Sequence, residues 1–193
     1  MENLINSGMA KNIFEPLKDL QGNTLRSAQW YRNAVSLITD KVSQNKLLSQ
    51  GRLNARPSLG RMNMFVYDPK YRQTLPFYDT FPLVLPLEPI KGGFMGLNFH
   101  YLPYPLRFRL LERMQRFATN AKFDSSTKLL ATYDDVKSIR LIRPAIKKYL
   151  YNNVRTRFRR IDTDEMAIAV YLPVADFKKA GLGAVFADSR RKI

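Results

Sequence analysis

The side chains able to do chemistry are few once sorted by type. The chain has no cysteine, which removes thiolate metal ligands, cysteine nucleophiles and disulfides. His100 is the single histidine and lies between Phe99 and Tyr101. One imidazole with scattered carboxylates is not a ligand set, so a structural or interfacial hydrogen bond is the expected role. Asp68, Asp79, Asp134, Asp135, Asp162, Asp164 and Glu165 are the carboxylates that general acid/base work would draw on. Asp68 and Asp79 stand in turn contexts, where an Asx turn accounts for them. Asp162, Asp164 and Glu165 are crowded into one short stretch, whereas metal-dependent hydrolysis draws carboxylates from separated elements. Gly92-Gly93 after Lys91 lacks the G-x-x-x-x-G-K-[ST] spacing of a phosphate loop, and a tight turn explains it. The expectation is a protein that is not an enzyme, with no catalytic, cofactor or metal site.

What remains is positive charge. Lys and Arg number 32 against 16 Asp and Glu, a formal charge of +16, and the pI is about 10.2. Such imbalance bears on partners rather than on fold. Residues 101–160 hold 15 Lys/Arg against 4 Asp/Glu, while 61–100 hold 4 against 3 and 161–193 hold 5 of each. Candidate contacts in the basic region are Arg107, Arg109, Arg113, Arg116, Lys147, Lys148, Arg155, Arg157, Arg159 and Arg160. Arg52, Arg56 and Arg61 add to them from a linker. Lys and Arg on phosphates give affinity without much sequence specificity. Neighbouring Phe108, Tyr149, Tyr151 and Phe158 are candidates to stack bases or to fill a core. Trp30 is a candidate protein-interface anchor, since aromatic and Arg side chains dominate interface hot spots.

The elements that must position these groups read as α+β. Short apolar runs between 64 and 101 alternate with Pro, Gly and Asp turn signals, which implies a small, strongly bent or barrel-like antiparallel sheet. A hairpin joining 83–88 to 94–100 through Lys91-Gly92-Gly93 is the sharpest local expectation. Pro82 and Pro86 imply an edge strand or one bent by a bulge. The apolar run 165–172 is expected to return to the same sheet. Helices are expected at about 24–48, 106–119 and 134–150, with a short helical turn near 124–130. Pro144 should kink or break the third helix. Residues 151–160 fit a helix or a strand equally. Residues 1–23 read as a flexible N-terminal arm, 24–187 as one domain with a basic linker at 51–63, and 188–193 as a tail. No apolar run is long enough for a spanning helix, so no membrane partner is expected.

The ordered set YDPK, LPFYDTFPLVLP and GFMGLNFHYLP within 61–103 resembles a family of small virion or assembly structural proteins of T4-like contractile-tailed bacteriophages. RFRRIDTDEMAIAVYLP at 157–173 and DSRRKI at 188–193 carry the same resemblance. It implies a virion protein assembled in the host cytoplasm, whose partners are other virion proteins, in a symmetric multi-subunit assembly. The preferred expectation is a tail, baseplate or neck interface protein. The alternative is a DNA-binding head-completion or DNA-end-protecting protein that uses the basic surface of residues 107–160.

Overall fold

The hairpin expected from the Lys91-Gly92-Gly93 turn is the centre of the fold. A computed structural model of the protein describes residues 12–22, 25–58, 60–118 and 139–192, with only the backbone of 115–118 described. Strand β4 (Leu83–Ile90) pairs with β5 (Gly93–Asn98) from Val84↔Asn98 to Ile90↔Gly93. Gly92, the second loop residue, has φ +75°, a left-handed conformation that glycine adopts without steric cost. The register shifts between Pro86 and Glu88, so the strand bends where proline cannot donate.

Around the hairpin stand β1 (Leu53–Asn54), β2 (Asn63–Met64), β6 (Ile146–Leu150) and β7 (Phe158–Arg160). The six strands run in the order β1-β7-β2-β4-β5-β6, every pair antiparallel. The sheet is open rather than closed into a barrel. A separate two-stranded ribbon joins β3 (Tyr78–Asp79) to β8 (Phe177–Lys178).

Period-two alternation splits the sheet into two faces. Leu83, Leu85 and Leu97 enter the large core. Val84 and Phe94 point the other way, into a small aromatic cluster with Phe65, Tyr67, Tyr149 and Phe158. Gly96 serves this second face, because a Cβ there would collide with the Val84 side chain and press on the Phe94 ring.

Helices cover the large core: α1 (Glu15–Gln21), α2 (Ala28–Ser36), α3 (Gln44–Ser49), α4 (Tyr104–Ala118), α5 (Met166–Ala169) and α6 (Leu182–Arg191). Residues 1–11 of the expected arm lie outside the described residues. Its later part docks, with Phe14 and Leu17 fully buried. The single helix expected over 24–48 is divided. Ser27 accepts from Trp30 N to cap α2, and Ser43 accepts from Lys46 N to cap α3.

Two expectations are corrected. Residues 165–172 are buried as expected, but they form α5 and its flanking turns rather than a strand. A short run buried on every side carries no periodicity to separate helix from strand. Residues 146–150 are strand β6 rather than the end of a helix. Pro144 closes a 3-10 turn at Arg140–Ala145, and the chain leaves it extended, along β5. The preceding residues 119–138, with Asp134, Asp135 and the turn expected near 124–130, lie outside the described residues. Of 151–160, which fits helix or strand equally by sequence, Tyr151–Asn153 form a 3-10 turn and Phe158–Arg160 form strand β7. The expected C-terminal tail continues α6 as far as Arg191.

Candidate nucleic-acid interface

Two of the arginines expected on the surface are interior. Arg107, on α4, is 1% exposed. Its guanidinium donates to the carbonyls of Leu102 at 2.7 Å, Val170 at 3.0 Å and His100 at 3.2 Å, and lies 4.4 Å from the Tyr104 ring centroid. Arg159, on β7, is equally buried. It donates to Gln50 O at 3.1 Å, pairs with Glu165 at 3.5 Å and covers the Phe14 ring at 4.7 Å. The space for it exists because Gly51 has no side chain. Burial lowers the Arg159 pKa, with Glu165 opposing. Both arginines tie separate parts of the chain together from buried positions, and Arg159 also lines part of the recess beside Gly51 and Arg52. They lie on the inward face of elements whose outward faces are also basic, so composition alone did not separate them.

The remaining candidates fall into distinct neighbourhoods. Arg109 and Arg113 are exposed on α4, and the side chain of Arg116 lies outside the described residues. Arg52 and Arg160 border a shallow recess with Asn12, Gln50, Asp162 and Glu165. Arg160 pairs there with Asp162 at 2.7 Å, and Arg61 donates to Thr163. That corner carries both signs of charge. Trp30 is half-buried and packs edge-on to Tyr31 at 5.0 Å, so it is part of the core margin.

The third neighbourhood is the most basic and the most aromatic. The loop 151–157 folds against the turn at Asp68: Asp68 N donates to Asn153 O and Arg155 N to Val66 O, each at 2.9 Å. Asp68 accepts from both Arg72 and Arg155 at 2.9 Å. The hydrogen bond from Arg155 and the charge of Arg72 hold its carboxyl below the usual range. The Arg56 guanidinium lies 4.0 Å from the Tyr151 ring centroid, and Arg157, later in the same loop, is exposed.

Next to this loop a cavity of about 460 Å³ opens between the Asp68–Tyr71 turn, strand β6 and the end of α6. Its walls include Tyr71, Phe77 and Tyr101, and its lysines are Lys70, Lys147, Lys148 and Lys192. The Lys147 ammonium sits 4.2 Å from the Tyr101 ring centroid. Burial lowers its pKa to about 8, with Lys192 adding to the shift and Asp188 opposing it.

Asp79 forms part of the cavity lining. One of its oxygens accepts from Phe81 N and Asp176 N, the other from Asn98 Nδ2 and His100 Nδ1 at 2.8 Å. Burial opposes ionisation of Asp79, yet His100, Asn98 and Phe81 N–H hold its pKa below the ordinary value. His100 is fully buried and structural, as its aromatic sequence setting implied.

Lys70, Tyr71, Phe77, Tyr101 and Lys192 were not among the sequence candidates. The available signal was Lys70-Tyr71 at the tip of an Asp-Pro turn, an exposed aromatic beside a cation. Their convergence with Lys192 depends on the path of α6. Among the described residues no group of three or more His, Cys, Asp or Glu could hold a metal ion. No described helix is long and apolar enough to cross a membrane.

Residues 5–189 match the family described as Phage T4 terminal DNA protecting protein. No curated protein and no solved structure gives a match. The family match supports the phage resemblance of the 61–103 and 157–173 segments, without its tail or baseplate detail. Spanning nearly the whole sequence, it shows that this chain belongs to the phage T4 terminal DNA protecting protein family.

Proposed function

We propose that this protein binds the ends of linear duplex DNA and shields them, without itself catalysing a reaction. The observation that carries the reading is the match over residues 5–189 to a family described as terminal DNA protecting. Net charge of +16 supports it, since neutralising phosphates releases condensed counterions and drives binding. Arg56, Arg155, Arg157, Lys147 and Lys148 form the phosphate-contacting surface, with Arg109 and Arg113 on α4 as a second contact. Arg107 and Arg159 hold the scaffold. The DNA-end alternative is thereby preferred over the tail, baseplate or neck expectation, which no family detail supports. The site of action is the phage DNA terminus in the virion.

The test compares a linear duplex with a covalently closed circle of the same sequence. Binding to the linear form should be at least tenfold tighter, fall steeply with salt, and slow exonuclease digestion from the bound end. Equal affinity for both forms would sink the reading. Salt-insensitive binding to a virion protein, with no DNA binding, would favour the assembly role instead.

A further inference from the structure

We propose that the cavity between the Asp68–Tyr71 turn, β6 and α6 receives the unpaired terminal nucleotide of one DNA strand, its base against the aromatic wall and its phosphate among the lysines. The inference rests on the DNA-end reading above and deepens it by assigning a site to the end itself.

The chemistry of the lining carries the argument. At about 460 Å³ the cavity falls in the range of roughly 300–1,000 Å³ typical of small-ligand sites. Tyr71, 63% exposed, stands at the rim, while Tyr101 is buried deeper. Aromatic faces stack any base, which gives affinity without sequence preference. Lys147 makes no ion pair among the described residues and holds its ammonium half-buried over Tyr101. Lys192, just past α6, pairs with Asp188 one turn back and also approaches the Phe77 ring. The buried carboxylate of Asp79 already accepts four hydrogen bonds, so it lies behind the site as a satisfied group.

Such a site selects ends for a physical reason. Bases inside a duplex are stacked and paired, and extracting one is costly. The cost is least for a base that is already single-stranded, as a frayed terminal base is. A continuous duplex keeps its bases stacked and paired, so it presents mainly its phosphates to the basic surface. End preference then follows from the pocket, and general affinity from the surface around it.

The test uses the full chain and linear duplexes carrying 5-iododeoxyuridine at the 5′-terminal, the 3′-terminal or a central position, with photocrosslinks mapped by mass spectrometry. A terminal probe should crosslink to Tyr71, Phe77 or Tyr101, and the central probe should not. Tyr71→Ala, at an exposed position that does not endanger folding, and Lys147→Gln should each weaken end binding by about tenfold. If the protein prefers ends but the terminal probes crosslink only elsewhere, or both variants keep end affinity within twofold, the pocket assignment is overturned and the DNA-end reading stands. If the protein shows no preference for ends, the DNA-end reading itself has failed.

Discussion

At the scale of single residues, one charge type performs opposite tasks. Arg107 and Arg159 are scaffold, and the cost of desolvating them is offset by carbonyls, a carboxylate and ring faces. Arg107→Ala would leave three buried carbonyls without their donor and remove packed methylenes. It should cost about 2–4 kcal/mol of stability in urea denaturation while leaving the salt slope of DNA binding unaltered in the folded fraction. Lys147 is the opposite case, a half-buried cation that makes no ion pair among the described residues. Its pKa of about 8 is below the 10.5 of the unfolded chain. Between those values the unfolded state binds more protons, so this residue makes stability rise with pH across that window. Asp188, on α6, and Lys192, just past its end, are the charged neighbours that modulate it. Lys147→Met should therefore stabilise the protein by about 1–2 kcal/mol at pH 7, and the gain should vanish above about pH 10. A thermal-denaturation series across pH checks both statements. Destabilisation by Lys147→Met at pH 7 would contradict them.

At the scale of elements, the aromatic face of the hairpin and the docking of α1 are the informative cases. Gly96 lies where β5 meets the Val84 and Phe94 side chains. Gly96→Val would force those groups aside, and overpacking of this kind costs about 1–3 kcal/mol. A lower urea midpoint with an unchanged m-value is the expected signature. Helix α1 is short and joins the core through Phe14 and Leu17. Phe14→Ala should cost about 3–5 kcal/mol and also remove the ring beneath the Arg159 guanidinium. Native-state hydrogen exchange would then show α1 opening before the β4–β5 hairpin. Simultaneous opening of both would mean that α1 belongs to the same cooperative unit as the sheet.

At the scale of the whole molecule, positive charge is distributed over surfaces of different character. The Arg52–Arg160 corner contains its own carboxylates, whereas the loop 151–157, β6 and the Lys70–Tyr71 turn form a basic, aromatic region around a cavity. Each lost phosphate contact lowers the magnitude of the log K against log salt slope by about 0.9 on duplex DNA. Arg157→Ala and Lys148→Ala should each show that decrement, and Arg52→Ala little or none. Equal decrements for all three would mean that DNA wraps the charge-balanced corner as well.

Composition and local pattern were enough for the α+β class, the hairpin and its turn, the bulged strand, the exclusion of cysteine chemistry and the structural reading of His100. Each rests on short-range physics: alternation along a strand, proline's missing donor, glycine's access to positive φ. The basic character of 101–160 was equally plain, because charge is additive along the chain. Three-dimensional packing decided which charges face outward. Arg107 and Arg109 sit two positions apart on one helix, and only the neighbouring Leu102, Val170 and His100 carbonyls make the first a core residue. The run 165–172 carried burial without periodicity, so its helical state depended on the elements packed around it. The cavity brings together Lys70 and Tyr71, Tyr101, Lys147 and Lys192, residues spread over most of the chain length. No local signal encodes that meeting, because it is set by how β6 pairs with β5 and where α6 comes to rest.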